Sequence, residues 1–344
     1  MTRVAIVGLG LIGRERLLAL EALRRQGRPV TVAGVLDPDR ARIAAAREIC
    51  GAQAASHLDG LVELRPDWFV VATPHDDAVQ IVPRLLTTGA RVLVEKPLGR
   101  SLREAETLAR AAAPGQLWVG LNYRFFAGVS ALIADLRRGV FGRPVAVDAV
   151  TGHGGAPGMQ TTWKLDPVRA GGGALIDPGI HLFDLALLLA AEPLRVQGGT
   201  AWAGFWGTGV EEECHLLLGG ERLSALNLQT SIVRWRSTFR LELHGEEGYG
   251  IVEGRGRSYG PQTYRRGRRW GWMTAASQAA SEELVLESGC MDVFARELDA
   301  LLFEVGHDAV PPCDAAQAVE GMRLLDACRA HLGLQTAAPD AARA

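Results

Sequence analysis

The chain has 344 residues, of which 48% are hydrophobic and 22% are charged, and its formal net charge at pH 7 is -2. A chain of this length is expected to form two domains, and its composition is ordinary for a globular enzyme. The small net charge gives no reason to expect nucleic acid or an anionic membrane as a partner, and no apolar run of about eighteen residues predicts a membrane span.

The N-terminal third of the chain alternates short apolar strands with longer amphipathic stretches. Strands are predicted at residues 4–7, 30–36, 68–72, 91–94 and 117–120. Helices are predicted between them, at 12–25, 38–49, 76–86 and 102–113. Alternation of this kind builds a parallel, doubly wound sheet, so we expect an α/β domain over residues 1–122.

The pattern changes after Asn122, where we expect a second domain over residues 123–335. A helix at 129–138, a strand at 145–150, an irregular loop at 151–172 and a helix at 173–190 are predicted. Residues 195–252 alternate apolar and polar side chains between glycine-marked turns, which predicts a large, open, mainly antiparallel sheet. Closing helices are expected at 291–305 and 315–330, and a disordered Ala-rich tail at 336–344.

The five cysteines are scattered along the chain and include no CxxC pair. Their odd number and wide spacing favour reduced thiols, and therefore the cytoplasm, over a disulfide framework. The same scatter provides no set of ligands for zinc, so no metal is expected.

A glycine motif follows the first predicted strand and opens the first predicted helix: Gly8, Leu9, Gly10, Leu11, Ile12 and Gly13. Its first glycine permits a tight turn, its second lets the backbone approach a pyrophosphate, and its third allows strand and helix to pack closely. The helix N-terminus supplies N–H groups and a favourable dipole for the anion. The motif therefore predicts a dinucleotide site.

Asp37 ends the second predicted strand, where a carboxylate accepts hydrogen bonds from a ribose 2′-hydroxyl and repels a 2′-phosphate. This position favours NAD, while Arg40 nearby leaves NADP possible. The alternative is that Asp37 caps the helix that begins at Pro38. Thr73, Pro74 and His75 follow the strand at 68–72, at the sheet edge where ligands bind, although an ordinary strand-to-helix turn is equally compatible.

Only two of the 37 basic residues are lysines, and the remainder are arginines. Lys96 lies in the run Glu95, Lys96, Pro97 directly after a predicted strand, and Lys164 lies in the long loop. An ammonium is a compact donor whose pKa can fall on burial, whereas a guanidinium stays charged. We therefore expect Lys96 to have a chemical role that arginine cannot fill.

Asp177 and His181 are four residues apart in a predicted helix, so they are expected on one face. A carboxylate beside an imidazole can orient it and tune it for general-base catalysis. The alternative is a surface ion pair with a structural histidine. Asp184, one turn later, is expected to be a structural hydrogen-bonding partner.

Together these motifs resemble the glucose–fructose oxidoreductase/inositol dehydrogenase (Gfo/Idh/MocA) family of two-domain oxidoreductases. The resemblance rests on the glycine motif, on Ala72, Thr73 and Pro74, on the Glu95–Pro97 run, and on the segment from Gly171 to His181. Many members have Asn and His where this chain has His75 and Ala78. The resemblance implies a Rossmann domain, a second α/β domain used for dimer or tetramer contacts, and a catalytic set that maps onto Lys96, Asp177 and His181.

A redox step on a secondary alcohol requires a base for the hydroxyl proton and a donor for the developing alkoxide, roles that suit His181 and Lys96. The expected cofactor ligands are Gly8, Gly10, Leu11, Ile12, Gly13, Asp37, Thr73, Pro74, His75, Glu95 and Lys96. The expected substrate ligands are Lys96, Arg124, Trp163, Lys164, Asp177 and His181.

The long loop at 151–172 leads to Asp177, and Trp163 within it suits a sugar ring. We therefore expect a carbohydrate or cyclitol substrate, which could be phosphorylated or nucleotide-linked if the arginine run from Arg265 to Arg269 reaches the site. That run is also compatible with a solvated turn or a subunit contact. Two other functions stay open, an NAD-dependent glycosidase that uses transient oxidation and a non-enzymatic dinucleotide-binding regulator.

Overall fold

The structure is a computed structural model that describes residues 1–273, 275–277, 281–288, 292–303 and 309–334. The chain divides into two compact units. The first contains residues 1–122, 292–303 and 311–322, and the second contains the other described residues. The chain therefore returns to the first unit near its end, which a single boundary after Asn122 does not describe. The predicted tail at 336–344 lies outside the described residues.

The first unit is built on a sheet that has seven strands in the described part of the chain. Their spatial order is β15 (Cys313–Asp314), β6 (Leu117–Gly120), β5 (Arg91–Glu95), β4 (Trp68–Val71), β1 (Thr2–Val7), β2 (Val30–Leu36) and β3 (Gln53–Ala54). Neighbouring strands are parallel, except that β15 is antiparallel to β6. This arrangement confirms the doubly wound sheet.

Helices alternate with these strands along the chain: α1 (Leu11–Arg25), α2 (Arg40–Cys50), α3 (Leu58–Val62), α4 (His75–Leu86) and α5 (Leu102–Ala111). Helix α9 (Val293–Leu302) packs against α1. The central strand Trp68–Val71 is buried throughout, as expected for a parallel strand covered on both faces. Helix α2 begins later than predicted because Asp39 caps it, its side chain accepting the N–H groups of Ala41 and Arg42.

The second unit contains a sheet with eight described strands. Their spatial order is β14 (Glu282–Ser288), β13 (Gln262–Arg268), β12 (Gly248–Glu253), β11 (Thr238–Gly245), β7 (Pro144–Gly152), β10 (Ala225–Ser231), β9 (Glu213–Gly219) and β8 (Arg195–Trp202). Only β7 and β10 are parallel neighbours among these strands. The mainly antiparallel sheet is therefore confirmed, and it extends beyond the predicted stretch to Ser288.

The remaining helices are α6 (Ala127–Arg137), α7 (Pro167–Ala170), α8 (Ile180–Ala190) and α10 (Ala315–His331). Helix α6 packs against β12 and β13, and α8 packs against β7. Along β9, β10 and β11, buried side chains alternate with more exposed ones. We call the more exposed side, which includes Trp202, His215, Leu217 and Asn227, the open face. No helix of the described chain is long and apolar enough to cross a membrane.

Two predictions around the long loop were wrong. The helix expected at 173–190 begins only at Ile180. Gly171 and Gly172 have φ values of +87° and +153°, and Pro178 disfavours helical geometry at Asp177 and supplies no N–H, so the backbone turns before the helix starts. The loop at 151–172 is also less irregular than expected, since it contains two 3₁₀ turns and the short helix α7.

Candidate active site

The glycine loop from Gly8 to Gly13 joins β1 to α1. Gly8 has a φ of +88°, and a Cβ there would lie 2.7 Å from the carbonyl oxygen of Ala72. A Cβ at Gly13 would lie only 1.9 Å from the carbonyl oxygen of Gly8, whereas one at Gly10 would meet nothing closer than 4.0 Å. Two glycines are thus required for packing, and the third keeps the backbone open to a ligand.

The start of helix α1 is suited to an anion. Its N-cap residue is Gly10, which has no side chain with which to cap the first turn, so the N–H groups there are left for an external acceptor. Leu11 begins the helix and is 70% exposed, and Ile12 beside it is half-buried. These observations fit the pyrophosphate of a dinucleotide.

Asp37 lies at the end of β2 with its side chain buried. Its Oδ2 accepts the N–H of Leu9 at 2.6 Å, and its Oδ1 accepts the N–H of Asp39 at 2.8 Å. Asp37 therefore ties the glycine loop to the second strand, and it is not the cap of α2. An arginine does lie beside this carboxylate, but it is Arg42, whose Nη1 is 3.8 Å from Oδ2. The sequence indicated Arg40 instead.

Thr73 and Pro74 follow β4, and His75 begins α4. The backbone nitrogen of Thr73 would lie 3.0 Å from a Cβ on Gly8, which places this turn against the glycine loop. The Thr73 hydroxyl oxygen is buried and has no hydrogen-bond partner among the described residues. A polar ligand such as a dinucleotide would satisfy it, so the turn fits the predicted cofactor site.

Glu95 ends β5, immediately before Lys96. Its Oε1 accepts a hydrogen bond from Nε of Arg16 at 2.7 Å, and the same guanidinium binds Glu297 of α9 at 2.5 Å. Burial alone would lower the pKa of Arg16, but the two carboxylates outweigh it and raise that pKa. The sequence predicts Glu95 as a cofactor ligand, but in the structure Arg16 holds its carboxylate. Glu95 therefore anchors the strand end that carries Lys96.

Asp177 and His181 do not share a helical face, because Asp177 precedes α8. The Asp177 carboxylate accepts a hydrogen bond from Nζ of Lys164 at 3.2 Å. This carboxylate also raises the pKa of Lys164, so the ammonium stays charged at neutral pH. The structure thus unites Asp177 with the second lysine of the chain, a pairing that the sequence did not indicate.

His181 lies in the first turn of α8 and is 5% exposed. Its imidazole stacks on the ring of Tyr123, with the ring centres 3.8 Å apart and the planes 5° from parallel. The Tyr123 phenol is buried, and burial raises its pKa to about 12, so it stays neutral. Tyr123 therefore holds the plane of the imidazole, a contact that the sequence did not indicate.

Arg124 is predicted to bind substrate, but its guanidinium forms a buried bidentate pair with Asp184, at 2.8 Å from Nε to Oδ2 and 2.5 Å from Nη2 to Oδ1. A guanidinium engaged in this way has its fork occupied. We therefore assign Arg124 to the packing of α8, which agrees with the structural role expected for Asp184. Trp163 begins a 3₁₀ turn with Lys164 and is half-buried.

Most of the arginine run, from Arg265 to Arg268, belongs to strand β13, and Arg269 lies in the turn that follows the strand. Arg266 pairs with Asp135 at 3.0 Å and with Glu283 at 2.8 Å, and Arg269 pairs with Glu247 at 3.4 Å. These internal ion pairs explain part of the run without a ligand. No group of three or more His, Cys, Asp or Glu side chains in the described chain could hold a metal ion.

Sequence reasoning also missed Tyr123, which stacks on His181, and Arg255, which contacts Tyr123. Arg255 lies over the ring of Tyr123, 4.9 Å from its centre, and over the ring of Tyr259 at 3.7 Å. The available signal was local: Arg255 stands between Gly254 and Gly256, directly after a strand. An arginine between two glycines has space around its side chain for a ligand, but no residue spacing connected Arg255 with His181.

Two family models match the chain. The model of the oxidoreductase family with an NAD-binding Rossmann fold matches residues 2–123, and that of the GFO/IDH/MocA C-terminal domain matches residues 129–250. The two matches cover the glycine loop in the first unit and the segment around His181 in the second.

Relatives with names agree with these models. A protein of Amycolatopsis mediterranei (strain S699), named as a candidate oxidoreductase subunit of UDP-kanosamine synthase, is 34% identical over 189 residues, which are 54% of this chain and 51% of that protein. The inositol 2-dehydrogenase of Rhizobium meliloti (strain 1021) is 26% identical over 207 residues, 58% of each chain. The match thus spans little more than half the length of these relatives.

The fold is shared with solved structures. Levoglucosan dehydrogenase in complex with NADH and levoglucosan has a TM-score of 0.81 over 96% of this chain and 97% of that one, at 17% identity. The resemblance noted from the motifs is therefore confirmed by sequence and by fold. The chain belongs to the Gfo/Idh/MocA family of oxidoreductases, and its first unit has the family's NAD-binding Rossmann fold.

Proposed function

We propose that this protein is an NAD-dependent oxidoreductase that moves a hydride between nicotinamide and a secondary hydroxyl of a sugar, a nucleotide sugar or a cyclitol. The observation that carries the proposal is the buried His181, stacked on Tyr123, in a chain whose glycine loop fits a dinucleotide. The nicotinamide, when bound, supplies the hydride acceptor. The residues of this chain then have to hold the alcohol, remove its proton and stabilise the charge on its oxygen.

His181 is the proposed general base for alcohol oxidation and the general acid for the reverse reaction. Tyr123 supports this role because a stacked, neutral ring restricts the imidazole without competing for the substrate proton. Lys96 is the proposed donor to the developing alkoxide, since a compact ammonium can stabilise charge on a single oxygen. Glu95, held by Arg16, supports Lys96 by anchoring the strand end.

Asp177 and Lys164 are proposed to bind the substrate together. The carboxylate can accept hydrogen bonds from hydroxyls next to the reacting carbon, and the ammonium, whose side chain is 48% exposed, can donate to others. Such an ion pair suits a polyhydroxylated ring. The names of the two relatives support the same substrate classes, a sugar nucleotide for one and a cyclitol for the other. The cysteine pattern keeps the cytoplasm as the proposed location.

The role of His181 predicts a pH dependence. An imidazolium cannot accept the hydroxyl proton, so kcat/KM for alcohol oxidation should fall as the pH drops below neutrality. His181→Ala should remove this acidic limb and lower the rate above it, whereas His331→Ala, at the exposed end of α10, should leave the profile unchanged. An unaltered limb in His181→Ala would assign the base to another residue.

The role of Asp37 predicts a change of cofactor preference. Asp37→Ser removes the carboxylate that repels a 2′-phosphate, and Arg42, which keeps its pair with Asp39 at 3.3 Å, can then also bind that phosphate. The kcat/KM ratio of NADP to NAD should therefore rise by at least about tenfold. Arg42→Ala in the same background should reverse most of the gain. Steady-state kinetics with both cofactors provides the measurement, and a wild-type preference for NADP would contradict the assignment of Asp37.

The open face predicts an oligomer. Trp202 and Leu217 on this face are 52% and 38% exposed, and pairing between subunits would cover them. We propose a homodimer or homotetramer. Light scattering at micromolar concentration should show it, and Leu217→Arg should lower the mass, while Val140→Arg, at a side chain 39% exposed beyond α6, should not. A wild-type monomer would refute this proposal.

A further inference from the structure

The second unit contains an aromatic cleft of about 890 Å³ that the proposed roles of His181 and Asp177 do not use. This volume lies within the range of roughly 300–1,000 Å³ that is typical of small-molecule sites. Aromatic side chains form its walls, and polar side chains, none of them a carboxylate among the described lining residues, lie between them. The lining includes Phe205, Trp206, Trp235, Tyr259, Ser237 and Gln160.

The walls of this aromatic cleft are held in place by the fold. The backbone N–H groups of Phe205 and Trp206 both donate to the carboxylate of Glu212 at 2.8 Å, and the Trp206 indole donates to a backbone carbonyl at 3.2 Å. On the other side, a Cβ at Gly154 would lie 2.7 Å from the ring of Trp235. Only glycine permits that approach, so the cleft is preformed.

Trp235 is the most exposed aromatic side chain of the cleft, at 68%. Its ring meets the edge of Phe205, with the centres 4.9 Å apart. A large indole held in contact on one side and open on the other offers a face on which a flat ring can stack. Because this indole face stays exposed in the folded protein, its burial would stabilise a bound ligand and does not stabilise the fold.

Arg255 adds a charge next to the cleft. Its half-buried side chain contacts the rings of Tyr123 and Tyr259, and its Nε has no hydrogen-bond partner among the described residues. A hydrogen bond to Tyr259 and the charge of the Asp177 carboxylate, which the structure does not place in direct contact with it, raise the pKa of Arg255 against the effect of burial. The guanidinium therefore stays charged, and no described carboxylate touches it. An anionic group supplied by a ligand can pair directly with this guanidinium.

The contacts of Arg255 connect the aromatic cleft with His181. Tyr259 lines the aromatic cleft and contacts Arg255, and Arg255 also contacts Tyr123, which stacks on His181. The sequence in space is therefore aromatic cleft, cation, general base. A substrate that matches it has a flat ring at one end, an anion in the middle and the reacting alcohol at the other end.

We propose, on the basis of the proposed function, that the aromatic cleft and Arg255 bind the nucleoside diphosphate part of a nucleotide-linked sugar. The base stacks in the cleft beside Trp235, the diphosphate meets Arg255, and the sugar hydroxyl reaches His181. Ser237 and Gln160 can hydrogen-bond the edge of the base or the ribose. A single sugar would leave the cleft empty, and a neutral aromatic group would leave Arg255 with no anion in direct contact.

Isothermal titration calorimetry of the full chain tests this proposal without any turnover. The protein is saturated with NADH, which fills the Rossmann site, and is then titrated with UDP, dTDP, GDP, uridine or inorganic pyrophosphate. At least one of the three diphosphates should bind, and pyrophosphate and the nucleoside of that diphosphate (uridine in the case of UDP) should each bind at least about tenfold more weakly than it does. Failure of all three diphosphates to bind at millimolar concentration would overturn the proposal.

Variants then locate the ligand. Trp235→Ala should weaken the binding of the nucleoside diphosphate about tenfold, and Trp235→Phe, which keeps an aromatic face, should restore most of it. Arg255→Met should weaken the binding of the diphosphate by tenfold or more and leave the affinity for uridine unchanged. Arg222→Met provides the control, because Arg222 is an exposed arginine just before β10, and this variant should change neither affinity. A diphosphate affinity that is insensitive to both Trp235→Ala and Arg255→Met refutes the site. Because the titration requires no catalysis, absence of alcohol oxidation cannot be mistaken for this result.

Discussion

Lys96→Met should lower kcat/KM for the alcohol substrate roughly a hundredfold or more, which corresponds to a loss of about 3 kcal/mol or more of transition-state stabilisation. The reason is the loss of the proposed donor to the developing alkoxide. Lys96→Arg should be almost as damaging, because the planar fork of a guanidinium cannot occupy the place of a compact ammonium. Steady-state kinetics with the true substrate provides the measurement, together with an NADH titration to show that the cofactor still binds.

The second lysine is the matched control for this experiment. Lys164→Met removes the same charge from a residue that we propose to bind substrate, and it breaks the contact with Asp177. It should raise KM with a smaller effect on kcat and leave NADH affinity unchanged. Wild-type turnover by Lys96→Arg, or equal effects of the two methionine variants on kcat, would exclude the proposed role of Lys96.

Arg16→Met should lower the free energy of unfolding by about 3–5 kcal/mol. Arg16 is fully buried between Glu95 and Glu297, whose side chains are 12% and 1% exposed, so its removal leaves two carboxylates without their counter-ion. Gly120 packs against this pair, since a Cβ there would lie 2.7 Å from the guanidinium. Urea denaturation is the appropriate measurement.

Arg28 provides the comparison for Arg16. It also pairs with an acid of helix α9, Asp299, but its side chain is 45% exposed, so Arg28→Met should cost no more than about 1 kcal/mol. Replacing both partners in Arg16→Met/Glu297→Leu should recover part of the loss, because a buried charge is then removed with its partner. Equal stability of Arg16→Met and the wild type would show that the network contributes nothing to folding.

The parallel sheet and the glycine loop could be predicted from the sequence because both depend on local signals. The second strand was predicted with its observed bounds, Val30–Leu36, and the turn at Gly8 requires a positive φ that favours glycine. When continuous apolar strands alternate with helices, a parallel sheet covered on both faces is the arrangement that buries them. The local pattern was therefore sufficient for most of the first unit.

The geometry around Asp177 and His181 could not be predicted in the same way. A four-residue spacing places two side chains on one face only if the helix is continuous, and the turn before Ile180 breaks it. Lys164 and Tyr123 are 13 and 58 residues away along the chain from the groups that they contact. Such contacts depend on how the loop and the sheet fold together, which periodicity does not report.

Buried ion pairs limited the prediction of site residues most. Arg124 and Glu95 lie beside the motifs and have the chemistry of ligands, yet Asp184 and Arg16 hold their charges. Arg255 shows the opposite case, a cation that no motif indicated and that no described carboxylate pairs with. A partner that is distant in sequence determines whether a charge is available to a ligand.

The most direct test of the central proposal is NADH fluorescence after the protein and NAD are mixed with a panel of cyclitols, sugars and nucleotide sugars. We expect NADH to accumulate with at least one secondary alcohol, and we expect the signal to be lost in Lys96→Met and strongly reduced in His181→Ala. A protein that binds NAD but forms no NADH with any member of the panel, and consumes none with the corresponding ketones, would contradict the proposal.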